Sequence, residues 1–173
     1  EENHVVVGRY EVDILANTTK KISFVCSFEE NIEEINVEKL IKQEKSRIQK
    51  IVNQTELLDK IEDEEQKNLI KNLIIASDTF VVYRPSFGLH TIIAGYPWFL
   101  DWGRDSLIAF EGLLLKTKRF KLAKEILLTM VRDIKYGLVP NGYSGFDNRP
   151  LYNSVDASLL LFEQIKKYLD YTQ

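Results

Sequence analysis

The sequence predicts a mainly α-helical protein that is preceded by a few β-strands, and three observations support this fold class. Apolar and polar side chains alternate with a period of about two over residues 5–28, which is typical of strands. From residue 31 onward the apolar side chains recur with a helical period. After residue 105, two nearly all-apolar segments flank an amphipathic one, which is the inner–outer–inner order of a barrel of paired helices.

Composition restricts the partners that this chain is expected to have. Its 173 residues carry 23 basic and 26 acidic side chains, a formal net charge of −3. Without a basic stripe, nucleic acid is not an expected partner. No apolar run approaches the length of a membrane span, so no membrane partner is expected either. The single cysteine, Cys26, excludes an internal disulfide, and the first residues lack the form of a signal peptide; we therefore expect a reducing, cytoplasmic location.

The first third of the chain predicts strands and then helices. Residues 5–28 predict two or three short strands with a turn around Asn17, which are too few to form a core alone. Asp63 and Gln66 have the spacing of a capping box and predict the start of a second helix. Before it, a half-exposed amphipathic helix is predicted by one apolar stripe: Val37, Leu40, Ile41, Ile48, Ile51 and Val52.

The second half of the chain predicts a hairpin followed by three helices. Residues 80–84 and 90–93 have the pattern of two short strands around a turn. The helices are predicted over residues 105–115, over residues 120–134, and from Ala157 onward.

The ends of these helices predict where polar side chains meet. Asp105 stands at the expected N-cap of the first helix, and Gly137 is the expected C′ residue of the second. Because short connections make neighbouring helices antiparallel, the first and third helices should be parallel, with their N-termini at the same end. We therefore expect Asp105 and Asp156 to face one pocket.

Residues 94–107 combine aromatic rings, a cation and carboxylates, and they predict a sugar-binding site. The rings of Trp98 and Trp102 offer flat apolar faces that can stack on the C–H face of a pyranose. Arg104 and Asp105 supply the directional hydrogen bonds that sugar hydroxyls require. The alternative is a core loop in which Arg104 and Asp105 pair with each other.

A second polar cluster contains Asn141, Tyr152, Asn153 and Asp156. From the residues alone, Asp156 is an N-cap or a first-turn acid behind an N-cap at Ser154. A helix N-terminus favours the charged form of a carboxylate, whereas a general acid needs a raised pKa. Residue patterns by themselves therefore favour the structural role for Asp156.

The two polar clusters belong to four longer motifs: Tyr96-Pro97-Trp98-Phe99, Asp101-Trp102-Gly103-Arg104-Asp105, Gly137-Leu138-Val139-Pro140-Asn141 and Tyr152-Asn153-Ser154-Val155-Asp156-Ala157. These motifs resemble the C-terminal domain of glycogen debranching enzymes, and the Trp-x-Arg-Asp-Ser pattern more loosely resembles glucoamylases. The resemblance implies an (α/α)6 barrel, a toroid of which this chain would hold the first few helices. It implies three parts: residues 1–30 as the last strands of an upstream β-sandwich, residues 31–83 as linker helices, and residues 84–173 as the N-terminal part of the barrel.

The resemblance also implies roles for individual residues. It implies that Asp156 is the general acid of an amylo-α-1,6-glucosidase, which releases glucose from α-1,6 branch points of glycogen or limit dextrin by inversion. Arg104 and Asp105 would bind the terminal glucose. The other implied substrate-binding residues are Trp98, Trp102, Asn141, Tyr152 and Asn153. The general base is expected beyond Gln173, so the chain is expected to be an inactive internal fragment that needs the remainder of the barrel as a partner.

Two alternatives to this function remain open at the level of sequence. One is another exo-α-glucosidase of the same barrel class, of the glucoamylase or trehalase type. The other is a non-catalytic glucan-binding module, which would be favoured if the full-length protein also lacks a later Glu in the pocket. No cofactor is expected, and His4 and His90 lack ligand-spaced companions, so a metal site is not expected.

Overall fold

The structure is a computed structural model that describes residues 8–27, 35–145 and 147–173. The strand residues predicted at 5–7 and 28, and the helical period predicted at 31–34, lie outside the described residues. The chain divides into two units, Glu1–Lys42 and Gln43–Gln173, and the boundary falls inside the first helix.

The described residues are mainly helical, as the sequence predicts. In chain order, the elements are α1 (Val37–Gln54), a 3-10 helix (Leu58–Lys60), α2 (Glu64–Asp78), β1 (Val81–Arg84), β2 (Leu89–Ile92), α3 (Gly103–Phe110), a π-helix (Glu111–Leu115), α4 (Phe120–Arg132), β3 (Gly142–Tyr143), β4 (Pro150–Leu151) and α5 (Asp156–Thr172).

Residues 8–27 contain no strand, and the strand prediction is wrong for this range. The chain turns where the Thr18 amide donates to the Leu15 carbonyl at 3.1 Å, and the rings of Tyr10 and Phe24 meet edge to face at 5.8 Å between centroids. Both rings remain exposed. The sequence of this range alternates between apolar and polar side chains, but the described part of this unit has no covered face. Short strands need a third strand or a packed layer to be stable.

Helices α1 and α2 form where the sequence predicts them. The apolar stripe of α1 is buried at its C-terminal end, at Ile51 and Val52, whereas Leu40 is half exposed. α2 begins as predicted, because the Asp63 carboxylate accepts a 2.7 Å hydrogen bond from the Gln66 amide and so satisfies one free N–H of the first turn.

The predicted hairpin is present, and the helix after it differs from the prediction. β1 and β2 pair antiparallel. α3 begins at Gly103 and not at Asp105, which therefore lies in the first turn and is not the N-cap. After Phe110 the helix widens into π turns, in which the Lys116 amide donates to the Glu111 carbonyl, five residues earlier, at 2.9 Å. Beyond this bond, the Leu113 carbonyl accepts from the Thr117 hydroxyl (2.7 Å) and the Arg119 guanidinium (3.0 Å).

The end of α4 also corrects a prediction. α4 ends at Arg132, and Gly137 is not its C′ residue. Gly137 lies in a two-residue turn between Lys135 and Leu138, whose amides and carbonyls exchange hydrogen bonds of 3.0 and 2.9 Å. Tyr136 and Gly137 have φ of 54° and 75°, the left-handed pair that such a tight turn requires.

The main core is shared by β2, α3, the π-helix, α4 and α5. α3 packs on α5, and α4 packs on β2 and α5. Ile108, Leu159 and Phe162 nevertheless stay more than 60% exposed, so the segments predicted to be apolar nearly all round keep uncovered faces. The buried core consists of Ile92, Leu107, Phe110, Leu114, Leu115, Ala123, Ile126, Leu127, Met130, Val139, Ala157 and Leu161.

Candidate functional site

The aromatic segment is a closed loop that exposes its rings. The Ala94 amide donates to the Leu100 carbonyl at 3.0 Å, and the Phe99 amide donates to the Gly95 carbonyl at 2.8 Å. These bonds fix the loop between β2 and α3. Trp98 is 85% exposed at its tip, and Trp102 at its end is 38% exposed. Both predicted sugar-stacking rings are therefore accessible to a ligand.

The start of α3 lies directly against the loop that follows α4. The Gly103 amide donates to the Asn141 carbonyl at 2.7 Å, and Trp102 forms a β-bridge with Gly142. A Cβ at Gly103 would lie 2.3 Å from the Pro140 carbonyl oxygen, so this approach requires glycine. Two motifs far apart in sequence thus form one small extended layer.

The N-termini of α3 and α5 meet in an ion pair between Arg104 and Asp156. This partner differs from the alternative in which Arg104 pairs with Asp105. The Asp156 carboxylate also accepts hydrogen bonds from the Ser154 hydroxyl and, at 2.9 Å, from the Ala157 amide. Both ends of the ion pair are accessible, with Arg104 54% and Asp156 38% exposed.

The environment of Asp156 favours its charged form. The hydrogen bond from Arg104 is the main cause that holds the pKa of this carboxyl below its usual range, and the Ala157 amide acts in the same direction. Asp156 is the first residue of α5 and Val155 occupies the N-cap position, so Asp156 is a first-turn acid. The cap, however, is Val155 and not Ser154.

Asp105 lies apart from this ion pair. It lines an open cavity of about 260 Å³, together with Phe80, Ile92, Ala94 and Ile108, and Asp156 is not among the lining residues. Within the described parts of the chain, no hydrogen bond or ion pair engages the Asp105 side chain. A carboxylate in mostly apolar surroundings is thus left with free acceptor capacity.

The remaining predicted site residues form a second hydrogen-bonded group. Asn141 is buried, and its Nδ2 donates to Asn153 Oδ1 at 3.1 Å, while its Oδ1 has no partner among the described residues. The Tyr152 hydroxyl donates to the carbonyl of Asp133 at 2.7 Å. Burial raises the pKa of Tyr152. The hydrogen bond from Tyr152 connects the residues that precede α5 to the end of α4.

The sequence does not predict that Arg84 lies next to the site. It also does not predict that Asp101 is buried and pairs with Arg84. Asp101 precedes Trp102, is only 4% exposed, and forms an ion pair with Arg84 on β1. No local pattern could reveal this contact, because the two residues are 17 positions apart and belong to different elements. Arg84 also donates to Asn148 Oδ1 at 2.6 Å.

Among the described residues, no group of three or more His, Cys, Asp or Glu side chains has the arrangement of a metal site. None of the helices in this part of the chain has both the length and the apolar character needed to cross a membrane.

The exposed rings beside an arginine–carboxylate pair match a carbohydrate-processing protein. A family model described as amylo-alpha-1,6-glucosidase matches residues 75–173, which is more than half of the chain. The chain belongs to this amylo-α-1,6-glucosidase family.

One protein similar to this chain is a glycogen debranching enzyme. The chain is similar to the glycogen debranching enzyme of Saccharomyces cerevisiae, with 34% identity over 90 residues. The match covers 49% of this chain and 6% of the relative, so the chain spans a small fraction of that protein. The sequence-based resemblance to this family is confirmed.

Proposed function

We propose that this chain supplies part of the active site of a glycogen-debranching α-1,6-glucosidase. The observation that carries the proposal is the ion pair between Arg104 and Asp156, which joins the two family motifs at the N-termini of α3 and α5. Exposed Trp98 and half-buried Trp102 lie in the loop that leads into α3. This combination suits a terminal glucose, which needs an apolar stacking face and charged hydrogen-bond partners.

In this proposal Arg104 and Asp105 hold the terminal glucose. Arg104 is accessible and is already fixed at one end of the pair, and the Asp105 carboxylate retains free acceptor capacity beside the aromatic loop. Sugar hydroxyls both donate and accept hydrogen bonds, so the cation and the carboxylate can bind different hydroxyls of one glucose. Asn141, Asn153 and Tyr152 are the further binding residues in this proposal.

Asp156 acts as the general acid, and this role requires a change in its surroundings. In the chain without substrate, the hydrogen bond from Arg104 is the main cause of the lowered pKa of Asp156. A glucose hydroxyl that takes this hydrogen bond from Arg104 removes that cause, and the pKa of the carboxyl rises. Asp156 then protonates the glycosidic oxygen while a base from outside this chain activates water for inversion.

The rest of the parent protein completes the site. We assign residues 84–173 to the N-terminal part of an (α/α)6 barrel, residues 31–83 to linker helices and residues 1–30 to the end of an upstream β-sandwich. The uncovered apolar side chains Ile108, Leu159 and Phe162 support a partner surface of this kind, because apolar faces of such size are otherwise costly in water. A cytoplasmic location accompanies this proposal, since glycogen is its substrate.

The test is glucose release by the full-length parent from a dextrin that carries single α-1,6 glucosyl stubs. Asp156→Asn is compared with Asp147→Asn, a matched control at an exposed loop carboxylate that pairs with Arg149. We expect Asp156→Asn to abolish release while glucan binding persists, and Asp147→Asn to behave like the wild type. Undiminished release by Asp156→Asn contradicts the acid role.

A non-catalytic glucan-binding module is the second candidate, and the lowered pKa of Asp156 favours it. A carboxylate that stays charged is a good hydrogen-bond acceptor for sugar but a poor proton donor. The same experiment separates the two functions, because a binding module retains affinity for glucan and releases no glucose. Release from linear α-1,4 or from α,α-1,1 glucosides instead assigns the parent to a related exo-α-glucosidase.

A further inference from the structure

Arg84 contacts two segments of a small layer that consists of residues 101–103, β3 and β4, and it also contacts the turn that joins β3 to β4. Arg84 pairs with the carboxylate of Asp101 in the first segment. Its guanidinium carbon lies 5.7 Å from the ring centroid of Tyr143 in β3. It also donates to Asn148 Oδ1, at 2.6 Å, in the turn that joins β3 to β4.

The ion pair between Arg84 and Asp101 is largely buried. Asp101 is 4% exposed and Arg84 is 15% exposed. The second carboxylate oxygen of Asp101 accepts a 3.3 Å hydrogen bond from the buried Thr91 hydroxyl. The Arg84 guanidinium also stacks over Phe87, 4.5 Å from the ring centroid. A planar guanidinium with several fixed partners holds a single orientation, which a flexible lysine ammonium does not.

The layer connects this contact to the candidate sugar-binding residues. Asp101 is bonded directly to Trp102, and Arg104 follows two residues later in the first turn of α3. At the other edge, β4 leads through Tyr152 and Asn153 into Asp156. A shift of the first segment against β3 therefore changes the separation of the two halves of the site.

We propose that Arg84 and Asp101 are positioning residues that set the register between the Trp102–Arg104 half and the Asp156 half of the glucan site. The proposal rests on the proposed function for its kinetic readout. Neither side chain touches the sugar; each acts through the layer that carries the binding residues. Misplacement of reacting groups by about 1 Å can reduce a rate by about 100-fold, so a modest slip of this layer is expected to be measurable.

The test uses the full-length parent protein and separates positioning from stability. Arg84→Met alone leaves the buried Asp101 charge unpaired, so it lowers both thermal stability and activity. The double variant Arg84→Met/Asp101→Asn removes both charges, and such neutral replacements of buried pairs often restore stability. We expect the double variant to unfold near the wild-type temperature while its kcat/KM for glucose release stays about 10- to 100-fold low.

Two further variants complete the design. Arg149→Met/Asp147→Asn removes an exposed arginine–aspartate pair from the β3–β4 turn, and it should change neither stability nor kcat/KM. Arg84→Lys keeps the charge and is expected to fold, but one ammonium cannot hold Asp101 and Asn148 together in the same geometry. We therefore expect Arg84→Lys to raise KM and to recover only part of kcat/KM.

The outcomes distinguish this inference from the proposed function. Wild-type kcat/KM in either the double variant or Arg84→Lys would overturn the positioning role while glucose release by the wild type still supports the function. If the wild type binds glucan and releases no glucose, the proposed glucosidase function fails, and the affinity for glucan becomes the readout. A tenfold loss of affinity in the double variant then supports the positioning role. Unchanged affinity overturns that role. A wild type that neither binds nor cleaves glucan overturns both.

Discussion

The carboxylate of Asp156 and the guanidinium of Arg104, which are 52 positions apart in the sequence, pair across the N-termini of α5 and α3.

At 20.2 kDa the chain is suited to NMR titration of the Asp156 carboxyl. We expect Asp156 to titrate below 3.8 and, in Arg104→Met, to titrate closer to 3.8, because the Ala157 amide still favours the charged form. Titration of the wild-type group above 3.8 would contradict the geometry.

The sign of the corresponding stability effect follows from the lowered pKa of Asp156. The group binds a proton less readily when folded than when unfolded, so its contribution to the free energy of unfolding is present above pH 3.8. That contribution is lost as the pH falls through the folded pKa. In Arg104→Met this acid-dependent loss should shrink, whereas Arg9→Met, which removes an exposed arginine from residues 8–27, serves as the control.

Gly103→Ala should destabilise the junction between α3 and the loop after α4. Its Cβ would lie 2.3 Å from the backbone carbonyl oxygen of Pro140, and a backbone atom cannot move aside as a flexible side chain can. Forced shifts of this kind cost about 1–3 kcal/mol in the free energy of unfolding, measured by urea denaturation.

Gly112→Ala is the matched control for Gly103→Ala. Nothing lies within 4 Å of a Cβ added at Gly112. Because alanine loses less conformational freedom than glycine in a helix, we expect Gly112→Ala to be stabilising by about 0.5–1 kcal/mol. Equal effects of the two substitutions would rule out the close approach at Pro140.

Two tyrosines bound to the same residue predict different pH dependences. The Tyr143 hydroxyl donates to the Asp133 carboxylate at 2.8 Å, and the Tyr152 hydroxyl donates to the Asp133 carbonyl at 2.7 Å. Tyr143→Phe should cost about 1.5–3 kcal/mol at neutral pH, since its acceptor is charged, and Tyr152→Phe about 0.5–1.5 kcal/mol.

Acid should reduce the stability cost of Tyr143→Phe but not that of Tyr152→Phe. The Arg132 side chain, with help from Tyr143, holds the pKa of Asp133 below 3.8, so the stabilising charge persists above that pH and is lost as the pH falls through the folded pKa. Urea denaturation at pH 7 and pH 3 measures both variants. A cost for Tyr152→Phe that varies with pH as much as that of Tyr143→Phe would contradict this assignment of acceptors.

Trp98→Ala should weaken glucan binding without loss of stability. Trp98 is 85% exposed, so its removal uncovers little buried surface, and the unfolding free energy should change by less than about 0.5 kcal/mol. Retention on immobilised glycogen by the full-length parent measures the affinity. Tyr136→Ala removes an equally exposed ring from the turn after α4 and should leave retention unchanged. Equal losses in both variants would indicate nonspecific adhesion.

Much of the local structure could be predicted because neighbouring residues specify it. The Asp63 cap needs only the amide three residues later, and the stripes of α1 and α4 follow from helical period. The π turns at Glu111–Leu115 could not be predicted, since an apolar helical segment gives no pattern that distinguishes a hydrogen bond to the fifth preceding residue from one to the fourth. The start of α3 was misplaced because Gly103 is held by Asn141 from another part of the chain.

By itself the sequence determined the helical class, the β1–β2 hairpin, the family and the list of polar side chains from which the candidate site is drawn. Tertiary structure decided which of these side chains meet. It paired Arg104 with Asp156, left Asp105 without a partner among the described residues, and buried Asp101 against Arg84. The physical reason is that periodicity and capping report interactions over a few residues, whereas ion pairs depend on how distant elements pack.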